Sequence, residues 1–200
     1  MGRGFESHGA YSRTALLALF EKTCPLMFPL VTKRTRISPL GLEDLEAFVA
    51  YRRVPEVARF QSWETDYSEL QGRKLIESQD GMTMPREDGW LQLAIQDIES
   101  GNLLGDLALH ALTKKNSFEI GFTIAPRYQR HGYASEAASA LLERLFNQHG
   151  ATSVIANTDS RNVASIRTLE ALGFSAVAEK TWTEWFKGEN VTVLHYERTS

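Results

Sequence analysis

Two hundred residues suit one domain with a substantial core, or one domain with a tail. A net charge of −3 gives no electrostatic reason to expect nucleic acid or an anionic membrane as a standing partner, 42% hydrophobic against 24% charged residues fits a soluble globular chain, and a lone cysteine fits a reducing, cytoplasmic setting. The single cysteine, Cys24, excludes an internal disulfide, and His110, His149 and His195 are too scattered to suggest a metal site.

Thr14 to Phe20 is an apolar run behind Arg3 and Arg13, but Glu21 and Lys22 end it and no clear small-x-small cleavage site follows. The run is far too short to span a bilayer. Residues 1–30 are therefore expected to be an N-terminal extension, flexible or loosely helical, with the domain covering 31–200. Val31 to Ile37 alternates like an edge strand and is closed by Ser38-Pro39. Gly41 to Tyr51 has acidic residues in its first turn and an apolar stripe through Leu42, Leu45, Phe48 and Val49, which predicts a helix that Pro55 forbids from continuing. A second helix is predicted over Ser68 to Gln79, opened by the capping box Ser68-Glu69-Leu70-Gln71.

Trp90 to Asp97, Leu103 to Leu112 and Phe118 to Ala125 read as three strands of an antiparallel meander, separated by the polar turns around Gly101 and Asn116. The apolar period then lengthens. Ala134, Ala138, Leu141, Leu142 and Leu145 share a helix face that Gly150 ends. Thr152 to Thr158 is a short buried strand, so strand, helix and strand imply a right-handed crossover and a parallel pair. Asn162 is the expected N-cap of a helix through Leu172, stopped by Gly173. Phe174 to Thr183 and Val191 to Arg198 complete the order β-α-α-β-β-β-α-β-α-β-β, an α+β (mixed α/β) class with a mostly antiparallel sheet and one central parallel pair.

The chemistry concentrates in Pro126 to Glu136, PRYQRHGYASE, which joins a strand end to a helix start. Helix starts carry unpaired N–H groups and the positive end of the macrodipole, and both suit a phosphate or pyrophosphate. Gly132 permits close backbone approach, Ala134 keeps the first turn narrow, and Arg127, Arg130 and His131 add positive or titratable charge. The same loop would equally serve as a plain connection.

Gln129-Arg130-His131-Gly132-Tyr133-Ala134 resembles the Q/R-x-x-G-x-G/A pyrophosphate loop of the GNAT superfamily. Glu119-Ile120-Gly121-Phe122, Arg161-Asn162-Val163-Ala164-Ser165, Leu172-Gly173-Phe174, Trp185-Phe186-Lys187-Gly188 and Phe60-Gln61-Ser62-Trp63 resemble the RimJ/RimL-like branch, whose best-known members acetylate protein N-termini. The likeness spans roughly residues 31–197. It implies the GNAT acyl-CoA N-acyltransferase fold, with helices on both faces of the sheet, and acetyl-CoA as cosubstrate without a metal. The backbone of Phe122, Thr123 and Ile124 would pair with the pantetheine amides. The segment Gln129, Arg130, His131, Gly132, Tyr133, Ala134 and Ser135 would hold the pyrophosphate, and Asn162 would touch the pantetheine arm, cap its helix, or do both.

Acetyl transfer needs a neutral amine. At pH 7 a lysine side chain costs about 4–5 kcal/mol to deprotonate and an α-amine about 1–1.5 kcal/mol. An α-amine of a protein or peptide is thus the expected acceptor. The alternatives are a small-molecule amine such as a polyamine or aminoglycoside, and an acyl-CoA-binding module without turnover. The oligomeric expectation is a monomer or homodimer. Glu119 is the candidate general base or substrate orienter, against a plain solvent-facing carboxylate; Ser165 is the candidate donor to the leaving sulfur, against ordinary helix hydrogen bonding. The family's frequent tyrosine acid is replaced here by Leu169, and Thr192 stands where relatives often have aspartate. Phe60, Trp63, Trp182, Trp185 and Phe186 either line the acceptor groove or belong to the core.

Overall fold

A computed structural model describes residues 27–200. The run Thr14 to Phe20 and Cys24 lie outside the described residues. Packing begins ahead of the boundary expected at residue 31: Met27, Phe28 and Leu30 are already buried in the main core.

The expected single first strand is a hairpin, β1 (Leu30–Val31) and β2 (Thr35–Pro39), paired in register Leu30↔Ile37. The side chain of Thr32 causes the break. Its hydroxyl accepts from the backbone N–H of Arg34 (3.3 Å) and Thr35 (2.9 Å), which offers the chain a turn in place of a ladder. The first predicted helix opens as a 3-10 turn at Leu42–Asp44 and continues as α1 (Leu45–Arg52). Pro55 begins a short helix, α2 (Pro55–Ala58), at the position where its missing N–H costs nothing. α3 (Glu69–Ser78) carries the capping box: Ser68 Oγ accepts from Gln71 N and Gln71 Oε1 accepts from Ser68 N.

The meander is present as β3 (Gly89–Asp97), β4 (Leu103–Ala111) and β5 (Ser117–Ile124). α4 (Tyr133–Gln148), β6 (Ser153–Asp159) and α5 (Val163–Ala171) follow as expected. The predicted strand Phe174 to Thr183 is divided into β7 (Ser175–Ala176) and β8 (Trp182–Phe186), with a 3-10 turn at Ala178–Lys180 between them. Both pieces pair with β9 (Glu189–Thr199), at Ala176↔Tyr196 and Trp182↔Val193. Residues 177–181 thus face only Leu194 and His195 of β9, and the excess chain must loop out.

Among the described residues the sheet has nine strands, in the order β1-β2-β3-β4-β5-β6-β9-β7 with β8 also on β9. β5 and β6 are parallel and all other pairs are antiparallel. Strand alternation separates two apolar layers. Leu91, Leu93, Leu107, Leu109 and Ile120 pack with Ala138, Leu141, Leu142 and Leu145 of α4 on one face. Ala94 of the opposite parity meets Leu45, Phe48 and Val49 of α1 and Ile76 of α3 on the other. At Gly105 on β4, an added Cβ would lie 2.1 Å from the carbonyl oxygen of Thr123, so this strand crossing admits only glycine.

Candidate active site

The parallel ladder runs through Ser117↔Ser153, Phe118↔Val154 and Glu119↔Ile155 and stops there. β5 continues to Ile124 and β6 to Asp159 without pairing to each other, so the two strands fork at Glu119. β4 covers one edge of β5 along its whole length, whereas the edge facing β6 has no partner strand from Ile120 to Ile124. A cleft of about 1060 Å3 occupies the fork.

α4 and α5 both start at this cleft, which is lined by Gly132, Tyr133, Ala134 and Ser135 of one and Asn162, Val163, Ala164 and Ser165 of the other. The α4 entrance is left-handed at Arg130 (φ 64°) and at Gly132 (φ 80°, ψ 7°). Gln129 N–H donates to Pro126 O, and the next backbone donor is Glu136, to Gly132 O. The amides of residues 130–135 have no hydrogen-bond acceptor among the described residues. Such a run of free N–H groups at a helix start is an anion-binding concavity.

Of the residues singled out in the sequence, Glu119, Phe122, Thr123, Ile124, Gln129, Arg130, Gly132, Tyr133, Ala134, Ser135, Asn162 and Ser165 all line this one cleft. The side chain of His131 does not. Its Nδ1 turns back to Gln129 O (2.7 Å), so only its amide remains in the run. Gln129 braces the loop, donating from Nε2 to Ile124 O (2.9 Å). Asn162 Oδ1 caps α5 by accepting from Ser165 N (3.2 Å), while the Ser165 hydroxyl has no hydrogen bond to the described protein. Leu169, in the place of a tyrosine, is buried in the cleft wall.

Sequence reading missed the brace behind the loop. Arg34, in the β1–β2 turn, donates from Nε to Glu136 Oε2 (2.7 Å) and from Nη1 to His131 O (3.0 Å), and its guanidinium stacks over the Tyr133 ring. Thr32 Oγ and the Arg34 backbone N–H donate to the other Glu136 oxygen. Burial opposes ionisation of Glu136, but these donors outweigh it and hold its carboxyl below the usual glutamate range. An acidic residue in the first turn of α4 was a signal that something cationic lies near; its partner, 102 positions away, left no local trace.

At the other end of the cleft the walls are side chains from α2, the segment after it, and β8. Phe60, Trp182 and Phe186 line the cleft. Trp63 instead packs on the α1 layer, donating from Nε1 to Arg52 O (3.1 Å), and Trp185 is 70% exposed, so these two are not cleft residues. Glu56 and Glu184 add carboxylates to the lining, whereas Asp159 is already paired with Arg161. Lys187 ties the two walls together, donating from Nζ to the carbonyls of Ala58 (2.9 Å) and Trp63 from the β8–β9 turn.

Glu119 stands at the fork. Asn157 Nδ2 donates to its Oε1 (2.8 Å), and His110 Nδ1 lies 3.5 Å from its Oε2. No helix among the described residues is long and apolar enough to cross a membrane, and no group of three or more His, Cys, Asp or Glu among them is placed to hold a metal ion.

A forked parallel pair with one free strand edge, faced by two helix starts, defines a domain class suited to an extended ligand with an anionic end. Residues 34–175 match the family description "Acetyltransferase (GNAT) domain". The uncharacterized N-acetyltransferase YoaA of Bacillus subtilis is 31% identical over 150 residues, covering 74% of this chain and 84% of YoaA. The spermidine N-acetyltransferase of Vibrio cholerae, solved with CoA and spermine, superposes with a TM-score of 0.72 at 17% identity, covering 84% of this chain and 96% of that one. RimL, a ribosomal L7/L12 alpha-N-protein acetyltransferase solved with coenzyme A, gives a TM-score of 0.70 at 16% identity over 84% and 96% of the two chains. The chain belongs to the GNAT acetyltransferase family. It is an acyltransferase of the GNAT fold, as the resemblance of its motifs implied.

Proposed function

We propose that the protein transfers the acetyl group of acetyl-CoA to the α-amine of a protein or peptide N-terminus, in the manner of the RimJ/RimL-like branch. The observation that carries the cofactor half is the run of acceptor-free amides from Arg130 to Ser135 at the mouth of the fork. In this reading those amides hold the diphosphate, and the open edge of β5 pairs with the pantetheine amides as an added strand would, through Phe122 and the Ile124 N–H, since the Thr123 backbone faces β4 and Ile124 O is held by Gln129. The Asn162 amide group, with only its oxygen used in capping, reaches the pantetheine arm.

Glu119 accepts the proton of the acceptor ammonium, directly or through one water, and the freed amine nitrogen takes the acetyl carbon from sulfur. The unengaged Ser165 hydroxyl donates a hydrogen bond to the departing sulfur. An α-amine needs only about 1–1.5 kcal/mol of deprotonation at pH 7, whereas a lysine needs about 4–5 kcal/mol, so an α-amine demands far less of the base.

A second reading, a small polycationic amine, is favoured by the carboxylates Glu56 and Glu184, neither of which is in a salt bridge among the described residues, beside Phe60 and Trp182 at the acceptor end, and by likeness to the structure solved with spermine. Thiol release from acetyl-CoA separates the two. A peptide with a free N-terminus should turn over faster than its N-terminally blocked, lysine-containing counterpart and faster than spermidine. A clear preference for spermidine establishes the second reading, and no thiol release with any amine removes both.

A further inference from the structure

The Glu119 carboxylate is held from the opposite prong of the fork. Its Oε1 accepts from Asn157 Nδ2 at 2.8 Å, across the gap where the β5–β6 ladder has ended. A carboxylate that has lost its proton can only accept, so the nitrogen of the Asn157 amide must be the atom facing Glu119. The amide oxygen then faces the other way, onto His195 Nδ1 at 2.8 Å. An amide oxygen also only accepts, which makes His195 the Nδ1–H tautomer and leaves a lone pair on Nε2. Each link leaves the next no freedom to flip.

The state of His195 agrees with this chain. It is 8% exposed on β9, directly opposite Asn157 in the β6–β9 register, and its buried Nε2 has no hydrogen-bond partner among the described residues. A second proton there would find no acceptor. Burial and then the nearby Lys180 push the His195 pKa down, against the opposing pull of Glu197 and Glu119. A neutral imidazole is what the network requires.

We infer that Asn157, oriented by His195, is the positioning residue that fixes the Glu119 carboxylate at the fork of the cleft. This rests on the reading of Glu119 as the base. With Oε1 engaged, Oε2 is the oxygen left to take the substrate proton. The other groups that bear on it are His110 of β4, stacked on Trp90 at 4.5 Å between ring centroids, and Asp88, 3.3 Å from His110 Nε2.

The test compares Glu119→Gln, Asn157→Ala, Asn157→Asp, His195→Leu and His195→Gln in the full chain. Acetyl-CoA is the donor, and a free-N-terminal peptide and spermidine are run in parallel as acceptors. Asn157→Ala should lower kcat about tenfold with the acetyl-CoA KM within about twofold of wild type. Asn157→Asp sets a second carboxylate against Glu119, so one of the pair holds its proton to higher pH, and the acid limb of kcat should move up by about 1 pH unit or more. His195→Leu should lower kcat, and His195→Gln, whose side-chain amide can still donate to Asn157 Oδ1, should restore most of it. An Asn157→Asp acid limb at the wild-type position, or His195→Gln as impaired as His195→Leu, overturns the positioning role while a slow Glu119→Gln enzyme keeps the base reading. A Glu119→Gln enzyme at the wild-type rate overturns the base reading itself. Should Asn157→Asp fail to fold, the His195 pair decides the question.

Discussion

The two ends of the cleft are built from different materials. The end at the α4 start is backbone: free amides, two left-handed residues and an unpaired strand edge within one continuous stretch of chain. The end at β8 is side chain: Glu56 and Phe60 from one segment, Glu119 from the sheet, Trp182, Glu184 and Phe186 from another, closed by Lys187. A backbone site can bind one constant group whatever the surrounding side chains are. A side-chain site can be altered residue by residue, which is how one fold serves many amine acceptors around one shared donor.

That contrast predicts which substitutions affect which half. The largest effect belongs to Gly132→Glu, which forces a side chain at φ 80° and sets a carboxylate beside the Arg34 guanidinium that braces the anion loop. Calorimetry should show coenzyme A affinity reduced by about a hundredfold or more. Glu119→Gln should do the converse: kcat falls about a hundredfold while coenzyme A affinity stays within about twofold. If both variants damaged both parameters, the division between the two ends would not stand.

Arg34→Gln sharpens the cofactor half. The guanidinium holds Glu136, the His131 carbonyl and the Tyr133 ring without lining the cleft. Its loss should weaken coenzyme A binding about fivefold to tenfold in the same calorimeter, with kcat at saturating donor nearly unchanged. This corresponds to a charge-assisted contact of about 1–1.4 kcal/mol, discounted for a half-exposed cation. Lys187→Met probes the acceptor half. Freed from Ala58 and Trp63, the two walls should part, and the amine KM should rise about threefold to fivefold while coenzyme A affinity holds.

The smallest effect is one of pH. The Glu136 carboxyl is held below its ordinary value in the folded protein, so its contribution to stability is fully present above the usual glutamate range and is lost as pH falls through the lowered folded value. The difference in urea midpoint between wild type and Glu136→Gln should therefore be greatest near neutrality and shrink towards zero on acidification. A difference that grows in acid would mean that the Thr32 and Arg34 contacts do not favour the ionised form.

Local physics explains what the sequence revealed. The meander turns, the α4 apolar face, the Ser68 capping box and the Asn162 cap depend on neighbours within a few residues, and all are present. The β1–β2 hairpin was hidden because one threonine hydroxyl outweighed an alternating pattern. The β7–β8 division was hidden because it is set by the length of β9, not by residues 174–183. In the cleft the loop was legible as a motif, whereas Arg34 meets Glu136 and Asn157 meets Glu119 only after folding. Asn157 was the one visible hint, a polar amide directly after the apolar Val154-Ile155-Ala156 of β6.

The most direct test is a crystal of the full chain grown or soaked with coenzyme A. The diphosphate oxygens should lie within hydrogen-bond distance of backbone nitrogens in the 130–135 run, with the pantetheine arm along Phe122 to Ile124 and its sulfur in the fork near Ser165. Coenzyme A bound with its diphosphate elsewhere, and those amides facing only solvent, would contradict the account.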